Sequence, residues 1–269
     1  MIRNRKIALI AGALRLPLLV AADLRREGYD VFVIGIKNFC DPALGPDMWV
    51  RLGAAGTALR ELKKRGISQI TMAGALGHPN LSDIRPDLAS VGILARILKN
   101  QKGYDSMLAA LIAEIEKLGF SVVAAQKLCP NLTFDKGVQT KRKPSKDDLR
   151  DIRRGMEVSK AIGKLDIGQS AVVRKQVLAV EAAEGTAKML ERVIGLGKNR
   201  AGRGGVLVKL VKPGQDLRAD IPAIGTETVL DAAAAKLNGI VVNSKNCWAI
   251  DRDEIVRLAN RHKIFIVAE

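Results

Sequence analysis

With 269 residues, 48% hydrophobic and 27% charged, the chain is long enough for one large domain or two modest ones and too apolar to be intrinsically disordered. Its apolar runs all fall short of the ~20 residues that a membrane-spanning helix needs. Lysine and arginine number 44 against 28 aspartates and glutamates, and the net charge of +16 selects anionic partners: phosphates, nucleic acid or an acidic membrane face.

The basic lead at the start runs into a first strand, Ile7–Ala11, rather than a signal peptide, because Asp23 and Arg25-Arg26-Glu27 follow too soon. The protein is therefore expected inside the cell. Leu16–Arg26 has helical spacing and stops at Gly28; Asp30–Gly35 is a β-branched, buried strand. A helix over Leu52–Arg65 ends at Gly66, and Ser68–Ala73 is a third strand. Helices over Pro86–Lys99 and Asp105–Leu118 precede a strand in Gly119–Ala124. Apolar strands alternating with helices are the mark of an α/β fold with a parallel sheet.

A boundary falls in residues 131–146, where a turn-like stretch leads into the basic, proline-broken run Lys141–Lys146. Ser145 then caps a helix over Asp147–Ile162, with acidic residues in its first turn. Gly168–Val173 and Gln176–Val180 form a hairpin pivoting on Arg174-Lys175. A helix from Gly185 to about Ile194 and a strand over Val206–Val211 follow. Further on come a helix over Thr226–Lys236, strands at Ile240–Val242 and Trp248–Ile250, a helix over Asp251–Asn260 and a last strand, Ile264–Val267. No internal repeat relates the halves. The expected architecture is two unlike α/β domains: residues 1–130 with a Rossmann-like parallel sheet, 131–146 a linker, and 147–269 a mixed α/β domain.

The residue types restrict the chemistry. Cys40, Cys129 and Cys247 are far apart, with no CxxC, and read as free thiols in a reducing compartment. His78 and His262 are the only histidines, too few for a Cys–His nucleophile or an ordinary zinc site. Aromatic residues are 3% of the chain, too few for a base-stacking platform, so nucleic acid is not an expected partner. Carboxylates, basic side chains, hydroxyls and backbone amides must carry the function.

Four loops could do so. Gly12–Pro17 follows the first strand, where α/β folds bind phosphates, but its single glycine fails the dinucleotide fingerprint, and a tight turn explains it equally well. Gly74–Asn80, with His78, lies at the same sheet edge. Gly195–Gly205 sets glycines beside Lys198, Arg200 and Arg203 as an anion nest or a basic loop, without the Walker spacing. The richest segment runs from Lys209 to Gly225: Asp216 and Asp220 stand four apart among Lys209, Lys212 and Arg218, with Gln215 beside them. Paired carboxylates among cations suit a magnesium–diphosphate, and a surface turn with internal ion pairs is the competing account. Glu181 and Thr186 mark the polar end of a second-domain strand, with Thr186 at a helix N-terminus, where it is either a cap or a ligand hydroxyl.

Arg154-Gly155-Met156-Glu157-Val158, Ala161-Ile162-Gly163, Asp166–Ser170, Glu181–Thr186, Gly205–Lys209, Gln215–Gly225 and Asp251–Glu254 together resemble the UDP-2,3-diacylglucosamine pyrophosphatases of the lipid A pathway, the magnesium-dependent type rather than the metallophosphoesterase type. The likeness spans nearly the whole chain and is strongest in residues 150–230. It implies a two-domain enzyme that holds a lipid-linked sugar nucleotide between its domains. The enzyme hydrolyses it to UMP and 2,3-diacylglucosamine 1-phosphate, with water attacking the sugar-linked phosphate. On this resemblance Asp216, then Asp220, are the catalytic and metal-binding carboxylates for Mg2+, and Lys209, Lys212 and Arg218 steady the diphosphate. Gly12, Gln169, Thr186 and Gln215 complete the substrate contacts. The chain departs from the family pattern at Ala13, Ala187 and Asn243, where a glycine and two acids are usual. A cytoplasmic enzyme touching the inner membrane surface transiently, as a homodimer, is the expected setting. The rival reading is a non-catalytic nucleotide-sugar or glycolipid binder of the same fold.

Overall fold

The computed structural model describes residues 5–76, 84, 86, 87, 90–92, 95, 104–197 and 204–269. The chain divides into two compact units, one of Met1–Cys129 with Asp216–Asp220, the other of Pro130–Gln215 with Ile221–Glu269.

In the first unit β1 (Arg5–Ala11), β2 (Tyr29–Ile36), β3 (Met48–Val50), β4 (Gln69–Ala73) and β5 (Ser121–Val122) form a wholly parallel sheet in the order β3-β2-β1-β4-β5. Its central strands are apolar on both faces: Ile7, Ala8 and Leu9 of β1 are fully buried, as are Val33 and Ile34 of β2. A sheet covered on both sides requires that composition. The helices are α1 (Leu16–Arg26), α2 (Ala55–Lys64) and α3 (Tyr104–Lys117). α1 turns Val20, Ala21 and Leu24 inward, and the chain leaves it through Gly28 at φ 82°, a left-handed turn that glycine adopts without strain. Successive strands run from β1 outward to β3 on one side, then cross to β4 on the other. The switch point therefore lies at the carboxyl ends of β1 and β4, where open α/β sheets bind their ligands.

Sequence reading passes over β3 and the short α4 (Ala125–Leu128), both too brief to show a period. Most of the helix expected over 86–99 lies outside the described residues.

The second unit opens with a correction to the expected linker. Residues 131–146 are folded into it: Phe134 is 1% exposed, Thr133 bridges to Trp248, and β6 (Gly137–Val138) pairs with a later strand. Even the basic run is tied down, Lys141 N donating to Asn260 Oδ1 at 2.8 Å and Arg142 Nη1 to the Lys263 carbonyl at 2.7 Å. The run looked like a linker because these bonds are made by its backbone and a guanidinium tip, which leave no apolar pattern.

α5 (Lys146–Lys164) starts at Ser145 as expected. Ser145 Oγ accepts from Asp148 N, and the Asp148 carboxylate accepts from Ser145 N at 2.9 Å, a reciprocal capping box. The six-stranded sheet uses β6, β7 (Ser170–Arg174), β8 (Gln176–Val180), β9 (Val206–Lys209), β11 (Gly239–Val242) and β13 (Phe265–Ala268), in the order β6-β13-β11-β9-β7-β8. β13, β11 and β9 are parallel; β6, β7 and β8 run antiparallel to their neighbours. The β7–β8 hairpin turns on Lys175 at φ 60°. α6 (Gly185–Gly197), α7 (Thr226–Ala234) and α8 (Arg252–Arg261) accompany the sheet, and β10 (Ala223–Ile224) with β12 (Trp248–Ala249) makes a small parallel pair. Phe134, Met189, Leu190, Leu207, Ile240 and Ile266 share one core. Among the described residues no helix is long and apolar enough to cross a membrane.

Candidate functional site

At the switch point of the first unit, Gly12 N donates to the Ala73 carbonyl at 2.9 Å, and Ala13 and Ala75 exchange backbone hydrogen bonds of 2.7 and 3.2 Å. A Cβ on Gly12 would lie 2.7 Å from the Ala75 carbonyl oxygen, so only glycine lets the two loops approach this closely. Ala13 is itself half of that backbone bridge. His78 and the cations Lys198, Arg200 and Arg203 lie outside the described residues.

The Asp216–Asp220 turn, although its sequence belongs to the second half, counts with the first unit. Its centre is an arginine fork. Arg218 Nε reaches Asp216 Oδ1 at 2.9 Å, Arg218 Nη2 reaches Asp216 Oδ2 at 2.7 Å, and the Arg218 backbone N–H adds a third donor at 3.0 Å. The other guanidinium nitrogen, Nη1, bonds Glu116 Oε1 on α3 at 2.7 Å. Gln126 Nε2 holds the turn through the Leu217 carbonyl at 3.0 Å, and Ala219 packs against the core of the unit. The Asp216 side chain is only 18% exposed. Hydrogen bonds from Arg218 hold its carboxyl below the usual carboxylate range against the opposing effect of burial. Asp220, by contrast, is exposed. The turn thus contains the internal ion pair of the competing sequence account, and it keeps Asp216 turned inward as an anion.

In the second unit Lys209, at the end of β9, donates Nζ to Thr186 Oγ1 at 2.9 Å, and Thr186 donates to Glu181 Oε1 at 2.7 Å. The second Glu181 oxygen accepts from Gln169 N at 3.2 Å. Glu181 is 6% exposed, and a buried carboxylate so satisfied fixes the hydroxyl and, through it, the ammonium. Lys212 Nζ pairs with Asp166 at 2.7 Å, and Lys212 N donates to Gln215 Oε1 at 3.3 Å. Two buried polar atoms, Gln169 Oε1 and Gln215 Nε2, have no hydrogen-bond partner among the described residues. Unmet donors and acceptors of this kind suit a polar ligand. Asn243 Oδ1 accepts from Val211 N at 2.7 Å and anchors the strand exit that leads to Lys212.

The structure therefore places Gly12, Asp216, Arg218 and Asp220 in the first unit and Gln169, Thr186, Lys209, Lys212 and Gln215 in the second. Glu116 and Gln126 escape sequence reading, because nothing in a helix one hundred residues away marks its bond to a turn. Among the described residues no group of three or more His, Cys, Asp or Glu is placed to hold a metal ion. Magnesium asks for less: it takes hard oxygen ligands, commonly one or two carboxylates with the substrate's phosphates supplying others. Asp216 and Asp220 offer oxygens of that kind, although both Asp216 oxygens already accept from Arg218. The three cysteines are buried, and burial, before any other cause, pushes the Cys129 and Cys247 thiols up to about 12, which leaves neither as a nucleophile.

A Rossmann-like unit with a clamped acidic turn, joined to a unit whose lysine is set by a buried Thr–Glu chain, defines an α/β protein equipped for anionic, phosphorylated ligands. Models of the LpxI N-terminal and C-terminal domains match residues 6–132 and 135–267. A protein of Caulobacter vibrioides named UDP-2,3-diacylglucosamine pyrophosphatase LpxI is 35% identical over 271 residues, covering 98% of this chain and 97% of its own. The chain belongs to the LpxI family.

Proposed function

We propose that this chain hydrolyses the diphosphate of UDP-2,3-diacylglucosamine, releasing UMP and 2,3-diacylglucosamine 1-phosphate in lipid A biosynthesis. The observation that carries the reading is the 35% identity, over nearly the full length of both chains, to a pyrophosphatase of that substrate. The geometry is compatible with it. Breaking a phosphoanhydride asks little covalent work of a protein and much charge neutralisation around the transferring phosphoryl group. Lys209 and Lys212 supply positive charge for the diphosphate oxygens, with Thr186 and Asp166 holding their ammonium groups. Gln169 Oε1 and Gln215 Nε2 offer an acceptor and a donor to the sugar nucleotide.

Asp216 is the carboxylate assigned to orient the attacking water on the sugar-linked phosphate, or to hold the metal, with Asp220 beside it and Arg218 fixing its direction. A magnesium ion held by Asp216 and Asp220 would supply further positive charge at the phosphoryl oxygens. The +16 net charge favours transient contact with an anionic inner-membrane face, where the lipid substrate resides. A homodimer is the proposed assembly, on the frequency of twofold enzymes alone. Purified protein given the substrate and magnesium should release UMP and the lipid phosphate in equal amounts. Binding without release would overturn the reaction, and release that proceeds unchanged in chelator would overturn the magnesium alone.

A further inference from the structure

The first unit contains an apolar cavity of about 200 Å³ between one face of its parallel sheet and the helices α2 and α3. Ile10 of β1 and Met72 of β4 line it from the sheet, Leu59 from α2, and Met107, Leu111 and Ile115 from α3. Of the polar residues on its wall, Ser90 has its hydroxyl engaged by Gly56 N at 2.8 Å, and Arg51 is exposed. The pocket opens to the surface, and concave sites with apolar walls are where apolar ligand groups bind. Methionines on two sides can reshape around a flexible guest.

We propose that this cavity is a subsite for one acyl chain of the diacylated substrate, an inference that rests on the function proposed above. Its position favours this occupant. Ile10 and Met72 directly precede the last residues of β1 and β4, so the cavity reaches the sheet edge at the switch point. Ile115 on its wall is followed in the chain by Glu116, which grips Arg218 and through it Asp216. Ala219 of the same turn packs against the apolar cluster to which Ile115, Met72 and Leu76 belong. One helix thus forms a wall of the cavity and clamps the candidate catalytic turn. A chain lodged there brings its sugar phosphate toward Asp216.

The test compares kcat/KM for UDP-2,3-diacylglucosamine with that for the same sugar nucleotide carrying two acetyl groups. Leu111→Phe, which fills the cavity, should lower the long-to-short ratio by on the order of 10-fold or more; an unchanged ratio overturns the subsite. Photolabelling of the unaltered protein with a diazirine-bearing dodecanoate needs neither the variant nor turnover. Label on the peptide that carries Met107–Ile115 supports the subsite, and label only elsewhere, or none, overturns it. A protein labelled on that helix that releases no UMP would refute the proposed reaction and leave the cavity's ligand class standing. One that releases UMP and is labelled only elsewhere would refute the subsite alone.

Discussion

Both units use glycine for close approach, and the first adds an apolar pocket between its sheet and two helices. In the second, glycines bring elements into direct contact: a Cβ on Gly155 of α5 would lie 2.4 Å from Val208 Cγ2, and one on Gly239 would lie 2.0 Å from the Phe265 ring. In the first, helices α2 and α3 stand off the sheet around a cavity of about 200 Å³. The pocket's walls are almost wholly apolar side chains of the sheet and the two helices. Tight packing is what a frame for a rigid polar chain such as Lys209–Thr186–Glu181 requires. An open pocket with apolar walls is what an apolar ligand site entails.

Substitutions in each unit test this contrast. The largest effect is expected from Gly239→Val, which drives a branched side chain into the Phe265 ring. Loss of about 3 kcal/mol or more, read as a lowered melting temperature or a failure to fold, is predicted. Lys209→Met keeps the length of the side chain and removes its charge. If Lys209 meets the diphosphate, kcat/KM should fall by roughly 10- to 150-fold, the equivalent of about 1.5–3 kcal/mol for a charged hydrogen bond, with little change in melting temperature. Glu116→Gln takes away the anion behind Arg218 but keeps a hydrogen-bonding side chain. A loss of about fivefold in kcat is expected, with KM nearly unchanged, corresponding to ~1 kcal/mol at one hydrogen bond.

A further effect is pH-dependent. Burial raises the Cys129 and Cys247 thiols to about 12, whereas an unfolded thiol ionises near about 8.5. The stability they contribute is therefore present in full below the unfolded value and is lost as pH rises from about 8.5 toward 12. Urea melts at pH 8 and pH 10 should show the loss, and replacing both cysteines with alanine should flatten it.

Legibility followed the same division. Long periodic elements such as α1, β2, α5 and the β7–β8 hairpin could be read directly, because burial on a repeating face writes itself into residue order. The capping of α5 by Ser145 was equally plain, being a local hydrogen bond with fixed spacing. What could not be read depends on distant partners: the Arg218–Glu116 pair across about one hundred residues, the pairing of β6 with β13, and the cavity. Of the site, the residue types and the segment Lys209–Gly225 were visible. That Asp216 is forked by Arg218, while Asp220 stays exposed, was not, since both carboxylates have similar neighbours in sequence.

The most direct measurement is UMP release from UDP-2,3-diacylglucosamine by the unaltered protein and by Asp216→Asn, assayed side by side with magnesium and matched for melting temperature. Turnover by the first and a loss of at least about 100-fold in the second are expected. Comparable turnover by both would contradict the proposed role of Asp216.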